Sequence, residues 1–289
     1  MRFTGSRAMG SVAALALCLS LFATLAPAAE NSTARPDFTP SVGQEGKDVI
    51  WVPTPQALVE RMLQIANVKP TDYVIDLGSG DGRTVITAAK KFGARALGLE
   101  YNPDMVELSK RNAQKEGVAD RAQFRQADIF ASDFSQATVI TMYLLPTLNL
   151  KLRPTLLNMK PGTRVVSHAF TMDDWEPDQT ENVEGRTAYL WIVPAKVEGN
   201  WRVSISGSNP AQYDLSLRQR YQKLEGQARN GSNTLQVRDA KVRGDEVVFA
   251  LANGSGGTQQ FTGRLAGDKL EGTVKQSGGE AKWTATRTR

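Results

Sequence analysis

The residues best suited to chemistry stand in one stretch, Tyr73-Val-Ile-Asp-Leu-Gly-Ser-Gly-Asp-Gly82. An apolar run ends in Asp76, and Gly78, Gly80 and Gly82 then turn the backbone into an amphipathic segment. Glycines leave no Cβ in the way, so a ligand could approach the amides at a helix N-terminus. A dinucleotide fingerprint requires GxGxxG; counted from Gly78, the third position is Arg83, so that reading fails. Taken alone, the turn could be only a turn. Few other reactive groups exist, because the chain has one Cys and one His. That excludes a disulfide framework, a Cys-based zinc site and an iron–sulfur cluster, and leaves too few ligands for a His-rich metal site. His168 follows a β-branched run and is either a base or a satisfied buried histidine. Trp175, beside Asp173 and Asp174, either rims a groove or anchors a loop.

The elements that must position these residues alternate between short β-branched runs and longer amphipathic stretches, the pattern of βαβ units. Strands are expected at 73–77, 94–100, 122–127, 138–145, 164–168 and 187–193. Helices are expected at 83–91, from Pro103 to a stop at Gly117, and around 150–159. Thr54 before Pro55 reads as an N-cap that opens a further helix. The implied fold is α/β: a Rossmann-like, doubly wound, mostly parallel sheet over 48–194. Beyond Pro194 the texture becomes seven alternating runs separated by Gly-, Asn- and Asp-rich turns, among them Gly244-Asp245 and Gly267-Asp268. This reads as a small antiparallel β domain over 195–289, a half barrel or a sandwich.

An acid followed by GxGxG resembles the first motif of class I, seven-strand S-adenosylmethionine-dependent methyltransferases. Glu100 closes the next strand, where a carboxylate can accept from both ribose hydroxyls of an adenosine. The resemblance narrows through Val52-Pro-Thr-Pro55, Leu77-Gly-Ser-Gly-Asp-Gly-Arg83, Glu100-Tyr-Asn-Pro103, Tyr143-Leu-Leu-Pro-Thr-Leu-Asn149 and Met159-Lys-Pro-Gly-Thr-Arg-Val-Val-Ser167. These look like bacterial relatives of the mitochondrial ATP-synthase c-subunit and adenine-nucleotide-translocase lysine methyltransferases. The match covers about residues 48–193 and leaves the tail outside. It implies S-adenosylmethionine as cofactor, held by Thr54, Asp76, Gly78, Ser79, Gly80, Gly82, Glu100, Asp128 and Ile129. Asp128 would meet the adenine amino group and Ile129 the ring. It also implies an acceptor pocket at Tyr143 to Pro146, with Tyr143 as the catalytic-site residue; the same ring could be a packed core aromatic. No Asn/Asp-Pro-Pro-aromatic run stands there, which argues against methylation of adenine or glutamine amides.

The chain has 289 residues, 35 Lys+Arg against 30 Asp+Glu and a formal charge of +5. The excess belongs to the tail: residues 198–289 carry 9 acids and 14 bases, whereas 29–197 carry 21 acids and 19 bases. The tail bases are scattered, so a solvated surface is expected in preference to a nucleic-acid site. Arg2 and Arg7 precede an uncharged apolar run that ends in Ala26-Pro-Ala28, which reads as a signal peptide over 1–28 and an exported, periplasmic enzyme; an uncleaved membrane anchor is the alternative. Residues 29–47 read as a flexible leader. The expected activity is transfer of a methyl group to a deprotonated protein lysine, on a partner at or in a membrane, without metal or nucleic acid. The alternatives are a small-molecule or lipid methyltransferase, and a catalytically idle exported binding module.

Overall fold

The computed structural model describes residues 38–207, 209–252 and 257–288. The expected signal peptide and residues 29–37 of the expected leader lie outside the described residues. The first eleven elements are α1 (Gln56–Ile65), β1 (Tyr73–Leu77), α2 (Arg83–Phe92), β2 (Arg95–Glu100), α3 (Pro103–Lys115), β3 (Ala122–Gln126), β4 (Val139–Met142), α4 (Pro146–Leu157), β5 (Arg164–His168), β6 (Gln179–Val183) and β7 (Arg186–Ile192). They form one seven-stranded sheet in the order β3-β2-β1-β4-β5-β7-β6. Strands β1 to β5 are parallel, β7 runs antiparallel beside β5, and β6 pairs antiparallel on the outside.

Alternation along each strand supplies both faces of the sheet. Val74, Val139 and Val166 face Leu58 of α1, Val85 of α2 and Val106 of α3. Ile75, Ile140 and Val165 face the other way, against Leu152 and Leu156 of α4 and the buried Trp175 and Trp191. At the N-terminal edge of the strands, Arg164 pairs with Asp72 at 2.5 Å and also donates to the carbonyls of Ala66 and Thr138. Burial pushes the Asp72 carboxyl up, but Arg164, the Lys69 amide and the Thr138 hydroxyl outweigh it and hold the group below its ordinary value.

Local signals decide the helix ends, with two exceptions. Asn102 caps α3, its Oδ1 accepting from Asp104 N at 2.9 Å, ahead of Pro103. Thr54 caps nothing: α1 begins one residue later, behind Pro55, because the Thr54 hydroxyl is taken by His168. Helix α4 starts at Pro146, earlier than its apolar pattern suggests, and tolerates Pro154 in its interior. Strand β6, Gln-Thr-Glu-Asn-Val, carries no strand pattern in the sequence because it is polar on both faces; it is an edge strand with no fully buried residue.

Eight further strands follow: β8 (Gly199–Ile205), β9 (Ala211–Arg220), β10 (Lys223–Asn230), β11 (Asn233–Arg243), β12 (Glu246–Ala252), β13 (Thr258–Ala266), β14 (Lys269–Gln276) and β15 (Gly279–Thr288). Each pairs antiparallel with its successor, and β15 pairs with β8. The tail is therefore a closed barrel, neither half barrel nor sandwich, and closure removes every sheet edge. The strand absent from the sequence reading is β10, whose Lys-Leu-Glu-Gly-Gln-Ala-Arg-Asn has no β-branched or aromatic residue. Gly226 is needed there, since a Cβ would stand 2.0 Å from the Ser216 carbonyl oxygen. Side chains fill the interior: Phe249 and Phe261 stack at 4.5 Å, and Trp283 meets both rings edge-on. The barrel is fixed to the loop after β5, where Asp174 accepts from Arg153, Arg220 and Tyr221, and Trp175 stacks on Tyr221.

Candidate active site

Strand order reverses between β1 and β4, and ligands of open α/β sheets bind at such a point, outside the carboxyl ends of the strands. A cleft of about 700 Å³ opens there. It is lined by Thr54, Asp76, Gly78, Ser79, Gly80, Glu100, Asp128, Ile129 and Tyr143, which bring together nine of the ten residues singled out from the sequence. The tenth, Gly82, stands behind the cleft. It is the left-handed N-cap of α2 at φ 83°, and a Cβ there would meet the Phe124 ring at 2.7 Å.

The glycine turn supplies space more than donors. The amides of Gly78 and Ser79 both donate to the Leu99 carbonyl, and that of Gly82 donates to the Ser79 carbonyl. The Gly80 amide donates to Glu100 Oε2 at 2.9 Å, while the Asn102 amide holds Glu100 Oε1 at 2.9 Å. The expectation of free amides at the helix start is thus corrected: the turn spends them on its own shape and on orienting Glu100. The Ser79 hydroxyl, by contrast, is buried without a hydrogen-bond partner.

Asp76 ends up almost fully buried because β1 runs between β2 and β4, and its Oδ1 accepts from the Thr141 hydroxyl at 2.6 Å. Burial, with smaller contributions from Glu100 and Asp81, pushes its carboxyl up to about 7. Asp128, just past β3, is held by the Phe130 amide at 2.9 Å and by Lys47 at 2.7 Å. Lys47 is the main cause that keeps the Asp128 carboxyl below its ordinary value.

Lys47 belongs to a strap, Gln44 to Thr54, whose first four residues fall in the expected flexible leader and whose remainder falls in the expected folded domain. The Gly43 amide donates to the Trp51 carbonyl, Trp51 N to the Gln44 carbonyl, and Gly46 N to the Val49 carbonyl. Every residue from Gln44 to Thr54 lines the cleft. The strap carries no helical or strand period, so only its tertiary contacts reveal it.

The far end of the cleft is aromatic. Tyr143 follows β4 and His168 ends β5; because Met142 pairs with Ser167, the two rings meet, with centroids 3.8 Å apart. Phe170 stacks near Tyr143 at 6.1 Å. His168 is buried, its Nδ1 is 3.0 Å from Thr54 Oγ1, and burial followed by the charge of Arg186 pushes its pKa down to about 4. It is therefore neutral at physiological pH, the satisfied-histidine alternative. Trp175 is fully buried, with its indole nitrogen unpartnered and its carbonyl accepting from Trp191, so it anchors the loop and does not rim the cleft. Among the described residues, no group of three or more His, Cys, Asp and Glu side chains is placed to hold a metal ion.

This geometry fits S-adenosylmethionine. Six carboxylates line the cleft against two cations, Lys47 and Arg83, which suits a ligand carrying a sulfonium and an ammonium. The orphaned Ser79 hydroxyl leaves a hydrogen bond for it. Residues 76–179 match the family described as ANTKMT methyltransferase domain. The chain is 45% identical over 151 residues to a protein-lysine N-methyltransferase of Saccharolobus islandicus, covering 50% of this chain and 94% of that protein. It is 33% identical to the human lysine N-methyltransferase of the ATP-synthase c-subunit, over 48% of this chain and 60% of that one. A Salinibacter ruber structure described as an RNA methyltransferase in complex with S-adenosyl-L-homocysteine is 53% identical, with TM-score 0.50, over 50% of this chain and 96% of that chain. The barrel lies beyond the matched family region, which ends at residue 179. The chain is an S-adenosylmethionine-dependent methyltransferase and belongs to the family that carries the ANTKMT methyltransferase domain.

Proposed function

We propose that the enzyme methylates the side-chain amine of a lysine in an apolar protein segment. The observation that carries this reading is the composition of the cleft mouth. The four large apolar side chains exposed among the described residues are Val42, Ile50, Tyr101 and Leu145; the last three line the cleft, and Val42 precedes the strap residue Gly43. Exposed apolar patches of this kind mark interaction sites. They surround a cleft rich in carboxylates, so the mouth is complementary to a segment that is apolar except for one cation.

The bound cofactor supplies a methyl group already activated on a sulfonium. The chain's own residues then align the amine and keep it dry, so that it enters as the neutral form, its proton left to solvent. Asp76, Glu100, Asp128 and the Ser79 hydroxyl are the polar groups that would hold the cofactor, with Ile129 beside Asp128. Tyr143, Leu144 and Phe170 wall the acceptor end and exclude water from it, which favours the neutral amine of a group whose ordinary pKa is about 10.4. Holding that amine in line with the methyl group lowers the barrier further by positioning.

A second acceptor, RNA, is favoured by the description of the Salinibacter ruber relative. The acidic lining opposes it, because phosphates would approach six carboxylates and only two cations, both already paired to acids. Incubation of the enzyme with methyl-labelled cofactor and native membranes decides between them. Label recovered as methyl-lysine after acid hydrolysis supports the proposal; label released by ribonuclease, or extracted only with lipid, overturns it.

The reading of residues 1–28 as a signal peptide supports an extracytoplasmic enzyme, which would need cofactor delivered outside the compartment where it is made. Fractionation of cells tests this. Mature chain beginning near residue 29 in the periplasmic fraction is the expected result, and an uncleaved cytoplasmic chain removes the assignment.

A further inference from the structure

We propose that Thr54 and His168 form a positioning relay that fixes the ring of Tyr143 in the acceptor wall and ties it to the glycine turn. The inference rests on the lysine reading for what the wall holds; the relay itself stands on contacts. Thr54 is gripped at both polar ends. Its carbonyl accepts from Arg83 Nη1 at 2.9 Å, and Arg83, the first residue of α2, pairs with Asp81 of the glycine turn at 2.6 Å. Its hydroxyl meets His168 Nδ1 at 3.0 Å, with both side chains buried.

The other consequence of that bond is the ring contact. Imidazole and phenol centroids 3.8 Å apart, tilted by 33°, are closer than the ~4.5–7 Å usual for aromatic pairs. Rotation of the imidazole is blocked by Thr54, so the phenol packed on it is held as well. A hydroxyl donates or accepts equally, so the bond survives in either neutral tautomer of His168. Arg186 lies near enough to oppose protonation, and among the described residues no carboxylate is bonded to the imidazole that would favour it. His168 is thus arranged to stay neutral and rigid, a poor base and a good support. The chain Asp81, Arg83, Thr54, His168, Tyr143 connects the cofactor turn to the acceptor wall through direct contacts, one of them to the Thr54 carbonyl and the rest between side chains.

The test uses the full chain without a histidine tag, a synthetic apolar peptide carrying one lysine, and S-adenosylhomocysteine as cofactor probe. Thr54→Val should raise the peptide KM about tenfold, the scale of one lost buried hydrogen bond. Thr54→Ser should restore KM, and His168→Phe, which keeps a ring but not the bond, should match Thr54→Val. A loss in kcat at unchanged KM in His168→Phe, together with a vanished limb in the pH profile, would make His168 a base and overturn the relay. The single histidine also gives an unambiguous imidazole resonance. In the wild type it should stay neutral down to about pH 5, and Thr54→Val should shift it while Thr54→Ser should not; titration near 6.5 in the wild type overturns the proposal. If the wild type leaves the peptide unmethylated, the lysine reading fails, and the relay is still decided by these resonances.

Discussion

The indole Nε1 of Trp51 stands 2.7 Å from the point where a Cβ on Gly80 would lie. Strap and glycine turn are therefore fitted to each other at a residue whose φ of 54° already disfavours a side chain. Gly80→Ala should displace Trp51 as well as strain the turn. The expected outcome is loss of S-adenosylhomocysteine binding in calorimetry together with a change in tryptophan fluorescence of the free enzyme. A variant that binds normally would show that the strap, not the turn, yields without consequence.

Burial pushes the Asp76 carboxyl up to about 7. Below that pH it is neutral and offers nothing to a cationic ligand, so cofactor affinity should rise between pH 6 and 8, with a slope approaching about tenfold per unit on the acid side. Binding at pH 7 should release protons, seen as a buffer-dependent calorimetric enthalpy. The same raised value means that Asp76 favours the free fold below its unfolded pKa of 3.8 and loses that contribution as pH climbs through about 7. Asp76→Asn should accordingly abolish cofactor binding yet melt higher than wild type at pH 8.

Lys47 occupies Asp128 at the mouth, and both side chains are about one-third exposed. An exposed pair contributes little to stability, but here it stands on a carboxylate assigned to the adenine. Lys47→Ala should leave the melting temperature within about a degree while speeding cofactor association, measured by stopped-flow fluorescence of Trp51. Asp128→Ala should slow association or weaken binding. Equal rates in Lys47→Ala and wild type would show that Lys47 does not compete.

Arg164 and Asp72 lie at the opposite end of the sheet, with side chains 19% and 9% exposed. Arg164→Met strands a buried carboxylate and should destabilise the fold by about 3 kcal/mol in urea unfolding. The Kd for S-adenosylhomocysteine, measured on the folded fraction, should not change.

Much of the cleft is legible in the text of the chain because its parts are local. Asp76, Glu100 and Asp128 stand at or just past the ends of three short strands, Gly78 and Gly80 turn the chain out of the first of them, and parallel strands of similar length bring these ends to one edge. The strap is not legible, since Gln44 to Trp51 has neither period and is held by contacts with Asp128 and Gly80, far away in sequence. Thr54 misleads for a related reason: its type and its place before proline are those of a cap, and only His168, 114 residues away, redirects the hydroxyl.

The sequence by itself determined the α/β fold, the cofactor turn and the antiparallel character of the tail, because strand period, turn glycines and strand-end acids act over a few residues. Tertiary structure decided the rest. Closure of the barrel depends on β15 meeting β8, and on β10, whose residues follow their neighbours more than any propensity of their own. The neutral His168 beneath Tyr143 depends on the register of β4 against β5 and on burial. Protonation and ring contact are properties of surroundings, and surroundings exist only once the chain has folded.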